Sequence, residues 1–485
     1  VKTQIHERFE SGLPGDDAHP YRSGPWCPNV VEYDAWELEV EGEIPDDLAG
    51  VYLRNTENPL LEPIERYHPF DGDGMLHGIA FEGGDAVYRN RFVRTDGFRA
   101  EREAGESLFS GAAESPALAK RECALGARPN MKDASSTDVV VHNGVALSSF
   151  WLCGDLYRHD PWTLESAGKA DFGGRFPAEG ISAHPKVDET TGEMLFFNYG
   201  TNAPYMNYGV LDARGELVHY VPIDLPGPRL PHDMAFTEHF VILNDCPMFW
   251  NPQLLAKGHH VSTFYPEMPT RFGILPRRGQ PDEIRWFEAD PTYVLHWINA
   301  YEDGDEIVLD GFFQENPSPE KVPGATADQS MFRFLDLHTM GAHAHRWRFD
   351  LTTGACREER RSDRVMEFGM INGRFGGRRN RYSYNALPAK GWFGFEGIAK
   401  QDLEAGTETV VELPDGVYAS ETVMAPRVGG AAEDDGYLVT FTVDMNEDRS
   451  ECLVLDAAQP AAGPVARIRL PERISCGTHA FWHAA

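Results

Sequence analysis

Histidine is the residue type whose placement in this chain could do chemistry. The 485 residues include 18 histidines. His259, His260, His338, His343, His345 and His483 have no distinctive setting. Four others do. His184 stands in Ser182-Ala-His-Pro-Lys186 and His232 in Leu230-Pro-His-Asp-Met234. His296 interrupts the apolar run Tyr293-Val-Leu-His-Trp-Ile298, and His479 lies in Cys476-Gly-Thr-His-Ala-Phe-Trp482. Neutral imidazole is the commonest metal ligand. No local metal motif spaces its ligands 48, 64 and 183 residues apart, so a single site requires distant segments to converge on one axis. Taken singly, each also fits a core or turn histidine.

Other chemistry-bearing motifs fail. There is no GxSxG, P-loop, HExxH or GxGxxG opening a helix. Asp71-Gly-Asp-Gly74 lacks the remaining ligands and distal Glu of a calcium loop and reads as a turn. The seven cysteines are odd in number and scattered, with no CxxC pair, which argues against a disulfide framework, a structural zinc site or an iron–sulfur site and favours a reducing, cytoplasmic setting.

The elements that must position the histidines read as strands. Glu193–Phe197, Glu306–Leu309, Thr409–Leu413 and Tyr437–Val443 are short apolar runs bounded by turn residues. Val139-Val-Val-His-Asn-Gly-Val-Ala-Leu147 is a hairpin, since Asn143-Gly144 accepts the positive φ of a type I′ turn. Helical periodicity is confined to short stretches near Leu118–Cys123 and Gln253–Lys257. This cadence implies a sandwich array, a large barrel or a propeller, and no exact repeat is present. Asp and Glu total 76 against 44 Lys and Arg, a net charge of −32. That charge opposes nucleic-acid binding. The longest run free of charged residues, Met194–Leu211, is broken by Asn198, Asn202, Pro204 and Asn207, so no membrane span is expected. The N-terminus has no apolar run of the kind a signal peptide carries.

The chain resembles the carotenoid cleavage oxygenase family. The resemblance is carried in order by Val51-Tyr-Leu-Arg-Asn55, Tyr67-His-Pro-Phe-Asp-Gly-Asp-Gly-Met-Leu-His-Gly78 and Tyr88–Thr95. It continues through Ala183–Asp188, Pro231–Ala235, Leu295–Ala300, Glu367–Asn372, Glu433–Leu438 and Gly477–Trp482. Gly273–Gly279 and Asn446–Ser450 echo the bacterial branch with lignostilbene and isoeugenol oxygenases. The resemblance implies an all-β, seven-bladed propeller with short helices and loops capping the active-site face, one domain over 1–485 with 1–35 as an N-terminal extension. It implies Fe(II) held by His184, His232, His296 and His479, with O2 and an apolar or aromatic alkene as reactants and two carbonyl products. Oligomeric state is not implied.

Glu367 and Glu433 match two of the family's three ligand-orienting glutamates and are expected beside His296 and His479. The third position falls on Trp151 or Leu152, leaving His232 without its carboxylate unless Asp155 or a backbone carbonyl substitutes. The Tyr and Lys that hold a phenolic oxygen in lignostilbene-type relatives match Ala112 and either Phe150 or Trp151. An apolar wall cannot select a phenolate by charge. A 4-hydroxystilbene is therefore not the expected substrate; a non-phenolic or differently placed aromatic alkene, or an apocarotenoid, is. Thr137 matches a position near the open iron site and Phe70 one on the pocket wall. The same losses also fit a non-catalytic apolar-ligand-binding protein on a degenerate oxygenase scaffold.

Overall fold

The computed structural model describes residues 1–121, 131–255, 257 and 261–485; Cys123, His259 and His260 lie outside them. The chain forms antiparallel meanders, as its alternation of short apolar runs and tight turns dictates. Asn143 (φ 50°) and Gly144 (φ 72°) make the hairpin turn, and Val140 faces Leu147 across it. The other strand readings hold with shifted ends: Met194–Tyr199, Glu306–Gln314, Thr407–Glu412 and Gly436–Asp444. Near the two helical readings the described residues form single turns at Pro116–Leu118 and Pro252–Leu255; Glu122, Cys123 and Ala256 lie outside the described residues. A nine-residue helix, Asp96–Ala104, was not anticipated. Thr95 caps its first turn by accepting from the Phe98 N–H, and Gly105 ends it in the left-handed conformation.

The sheets are arranged as a β-propeller. The strands Asp138–His142, Lys186–Val187, Ala235–Phe236, Trp297–Asp303, Glu367–Met370, Val423–Pro426 and Ala480–Ala484 each pair on one side only. Their free edges turn toward one another. Ala480–Ala484 lies beside Asp138–His142 and Val423–Pro426, Asp138–His142 beside Lys186–Val187, and Trp297–Asp303 between Ala235–Phe236 and Glu367–Met370. These are the inner strands around the axis. Ala480–Ala484 pairs with Gly50–Arg54, from Ala480↔Arg54 to Ala484↔Gly50, and so joins the two ends of the sequence in one sheet. Gly477 is needed just before it, because a Cβ there would lie 2.4 Å from Thr56 Oγ1 and 2.6 Å from the Asn55 carbonyl. Residues 1–35 contribute to this same sheet, with Lys2–Arg8 and Val31–Trp36 as its outer strands.

One buried ion cluster pins the Asp96–Ala104 helix to the body. Lys132 Nζ lies 2.8 Å from Asp73 and 3.1 Å from Glu101, all three side chains largely buried. Lys132→Met would leave two buried carboxylates unpaired, so it should cost about 3–5 kcal/mol, read as a lower urea midpoint. An unchanged midpoint would show the cluster to be solvated.

Candidate metal centre

The inner strands begin at a common end, and that end is where the chemistry sits. His184, His232, His296 and His479 lie one to three residues before the strands starting at Lys186, Ala235, Trp297 and Ala480. The three intervening strands start with carboxylates: Asp138 and Glu367 are first residues, and Glu421 stands two before Val423. In order around the axis this gives Asp138, His184, His232, His296, Glu367, Glu421 and His479. The four imidazoles are buried, and one nitrogen from each lies within 4.8 Å of all the others. Nε2 of His184 and Nε2 of His232 are 3.2 Å apart. His296 Nε2 is buried with no hydrogen-bond partner among the described residues.

The ring order decides which histidine has a carboxylate. His296 Nδ1 lies 2.7 Å from Glu367 Oε2. His479 Nδ1 lies 3.4 Å from Glu421 Oε1, and Glu421 also accepts the Ala480 N–H. Asp138 accepts the His184 N–H at 3.1 Å, with its carboxylate 3.5 Å from Nδ1. His232 has histidines on both sides in this order, and among the described residues no carboxylate pairs with it. Its neighbour Asp233 instead ties three loops together: it accepts the Trp297 N–H (2.9 Å) and pairs with Lys186 (2.7 Å).

Two expectations are corrected here. Glu433 is not beside His479. Its carboxylate accepts the backbone N–H groups of Arg381 and Tyr382 at 2.7–2.9 Å. It belongs to the connection after Val423–Pro426, the opposite end of that strand from Glu421, and four extended residues span roughly 13 Å. Asp155 does not serve His232 either; it pairs with Lys169 at 3.2 Å. Glu421 and Asp138 were the residues missed. The available signal was a lone acid abutting an apolar strand run, Glu421 before Val423-Met-Ala and Asp138 before Val139-Val-Val.

The backbone is strained where it presents ligands. His184 has φ 67°, and Pro185 bars it from the right-handed helical region. Such a conformation costs on the order of 1–3 kcal/mol and persists only where the surroundings over-determine it; the Asp138 hydrogen bond is one such constraint. Phe368 (φ 53°) stacks on His479, ring centroids 4.8 Å apart at 20°, and packs against His296.

Burial first, then the neighbouring imidazoles and Lys186, holds His184 and His296 well below the ordinary histidine range, and His232 at about 3. These three are neutral, with a lone pair for a cation. Burial acts against a charged His479 as well, but Glu421, Asp138 and Glu57 outweigh it and raise that group. Burial lifts Glu367 well above the usual carboxylate range and Asp138 to about 6. The donor set therefore fits a borderline transition-metal ion: four convergent imidazoles, one with an orphaned nitrogen, and carboxylates behind three of them.

An apolar cavity of about 380 Å³ reaches this centre at His232. Phe70, Ala112 and Trp151 line it, together with Trp250, Tyr293, Leu295 and Phe334. Trp151 stacks on His68 (5.5 Å, 22°), meets Phe70 edge-on, and has its ring 6.5 Å from that of His232. Thr137 Oγ1 accepts the Trp151 N–H at 3.1 Å, so it holds this wall from behind. Phe150 is not part of the lining. It is fully buried in the core with Leu195, Phe197 and Tyr208, its ring 6.4 Å edge-on from that of Trp151.

Comparison with known proteins agrees with this architecture. The profile of the family described as "Retinal pigment epithelial membrane protein" matches residues 26–484. Carotenoid 9,10(9',10')-cleavage dioxygenase 1 of Pisum sativum is 33% identical over 98% of this chain and 91% of its own length. Isoeugenol monooxygenase of Pseudomonas nitroreducens is 31% identical over 96% of this chain and 98% of its own. The crystal structure of Pseudomonas brassicacearum lignostilbene dioxygenase superposes with a TM-score of 0.83 at 27% identity, covering 96% of this chain and 99% of that one. With near-complete coverage in both directions and a propeller in common, this chain belongs to the retinal pigment epithelial membrane protein family and is an oxygenase of the carotenoid cleavage type.

Proposed function

We propose that His184, His232, His296 and His479 hold ferrous iron, and that the protein uses O2 to cleave the C=C bond of a compact aromatic alkene into two carbonyl products. The observation that carries the reading is the meeting of a four-imidazole cluster with an aromatic-lined cavity at His232. Imidazole suits iron, and the four histidines would hold it. Bound there, iron would supply activation of O2. Both oxygen atoms end in the two carbonyls, so the stoichiometry needs no external reductant.

The chain's own residues bind, orient and exclude water. Asp138, Glu367 and Glu421 fix the rings of His184, His296 and His479. Phe70, Trp151, Trp250 and Phe334 offer flat apolar walls to a conjugated alkene. At about 380 Å³ the cavity is near the small end of the ~300–1,000 Å³ range of ligand pockets, which suits a stilbene- or phenylpropenoid-sized molecule. The cysteines among the described residues are free, in keeping with a cytoplasmic protein. Among the described residues no helix is long and apolar enough to cross a membrane.

The test is O2 uptake by the Fe(II)-loaded protein against stilbenes, isoeugenol and an apocarotenal. We expect alkene-dependent uptake, one O2 per alkene, with label from 18O2 in both carbonyl products. Turnover of the apocarotenal alone would reassign the substrate class. Loaded iron with no uptake for any alkene would leave the apolar-ligand-binding reading in its place.

A further inference from the structure

Gln314 is the last residue of the strand Glu306–Gln314. Its main chain is satisfied: its N–H donates to Thr292 Oγ1, and its carbonyl accepts from the same hydroxyl, both at 3.0 Å. Its side chain is not. Gln314 is fully buried, and among the described residues neither Oε1 nor Nε2 has a hydrogen-bond partner. It lines the aromatic cavity beside Tyr293 and Leu295, the latter adjacent to His296.

Buried amides are almost always paired, and an orphan of this kind needs an explanation. The other polar groups of the lining offer less. Tyr293 donates its hydroxyl to the Leu230 carbonyl at 3.0 Å, and His68 Nδ1 accepts from the Phe70 N–H. The cations Arg66 and Lys321 are exposed, and Arg333 donates to the carbonyls of Pro319 and Ser330. Among the described residues of the lining, Trp151 Nε1 is the other buried, unpartnered polar atom, a donor only.

We propose that Gln314 orients the substrate through a neutral hydrogen-bonding substituent, a hydroxyl above all, on the alkene. This rests on the reading of the cavity as the alkene site. The amide both donates and accepts. A hydroxyl satisfies both atoms at once, accepting from Nε2 and donating to Oε1; a carbonyl satisfies only Nε2; an ether cannot donate. An uncharged amide gives a phenolate no charge-based preference. Selection by Gln314 thus takes the place of the absent Tyr–Lys pair by a different chemistry, and it favours substrates that stay neutral in the bound state. A site built to pair a hydroxyl discriminates against analogues that lack it, because its own polar atoms are then left unpaired.

The experiment is anaerobic equilibrium binding to the Fe(II)-loaded protein, where no turnover occurs. The probes are stilbene and its 3-hydroxy, 4-hydroxy and matching methoxy derivatives, against wild type and Gln314→Met. In wild type we expect one hydroxy isomer to bind roughly tenfold or more tighter than both stilbene and its own methyl ether. In Gln314→Met that ratio should fall to near one, stilbene affinity should hold, and the ligand-free melting temperature should not drop, since methionine removes two unpaired atoms. Equal affinities of all probes for wild type would overturn the proposal and leave the cavity as the alkene site. So would a hydroxyl preference that survives in Gln314→Met, or a lower melting temperature, which would reveal a structural partner for the amide. If the variant does not fold, the hydroxyl-against-ether comparison in wild type decides. Binding of none of the stilbenes would remove the reading of the cavity, and this inference with it.

Discussion

His232→Ala should abolish metal binding while leaving the fold intact. Wild type, loaded anaerobically with Fe(II) and desalted, should retain close to one iron per chain; the variant should retain less than about a tenth at micromolar free metal. His232 is the cleanest of the four to remove. His184, His296 and His479 each stand against a carboxylate, so deleting any of them also leaves a buried acid without its partner. Deleting His232 leaves no such charge, and its side of the centre opens on the apolar cavity. A loss of metal with an unchanged melting temperature then reports ligation alone. Retention of iron by the variant, or failure of wild type to take up any, would falsify the four-histidine site.

The second large effect separates two glutamates that lie twelve residues apart. Glu421→Gln should weaken metal affinity by about 10–100-fold, whereas Glu433→Gln should leave it unchanged. Glutamine at 421 still offers an oxygen to the Ala480 N–H, so the strand Ala480–Ala484 stays in place and the charge beside His479 is what changes. Glutamine at 433 can still accept from Arg381 or Tyr382, far from the histidines. A competition titration with a chromophoric chelator measures both. Equal losses at the two positions, or a loss confined to 433, would restore the assignment read from sequence.

That misassignment shows what a single sequence can carry. The four histidines were legible because each sits in a short stretch with a recognisable neighbourhood, such as Ala183-His-Pro or Gly477-Thr-His-Ala. The hairpin at Asn143-Gly144 was legible because turn chemistry is local. Glu421 was not, because its role depends on which end of a four-residue strand faces the axis. Nothing in Ser420-Glu-Thr-Val423 states that, while Glu433 lay in a stretch that matched the family. The regular succession of carboxylates and imidazoles at the strand starts was hidden for the same reason. It is a periodicity in space, and the sequence spacing between successive members runs from 46 residues (Asp138 to His184) to 71 (His296 to Glu367). Phe150 and Trp151 were placed together on the wall because a one-residue uncertainty in register is invisible in sequence, yet it decides which side chain reaches the cavity. Gln314 carried no signal, since an unpaired amide is defined by what surrounds it.

The strand that joins the two ends of the sequence bears on how the protein is made. His479 lies immediately before Ala480–Ala484, which must dock on Gly50–Arg54. A nascent chain therefore exposes its first three ligands long before the fourth exists. From His184 to His479 the ribosome has roughly 15–60 s of elongation still to complete. Through that interval the growing polypeptide holds at most a three-imidazole partial site and an unsealed edge at Gly50–Arg54. A four-imidazole site, and with it the metal capture proposed above, therefore waits until synthesis has passed residue 479 and the strand Ala480–Ala484 can close the ring.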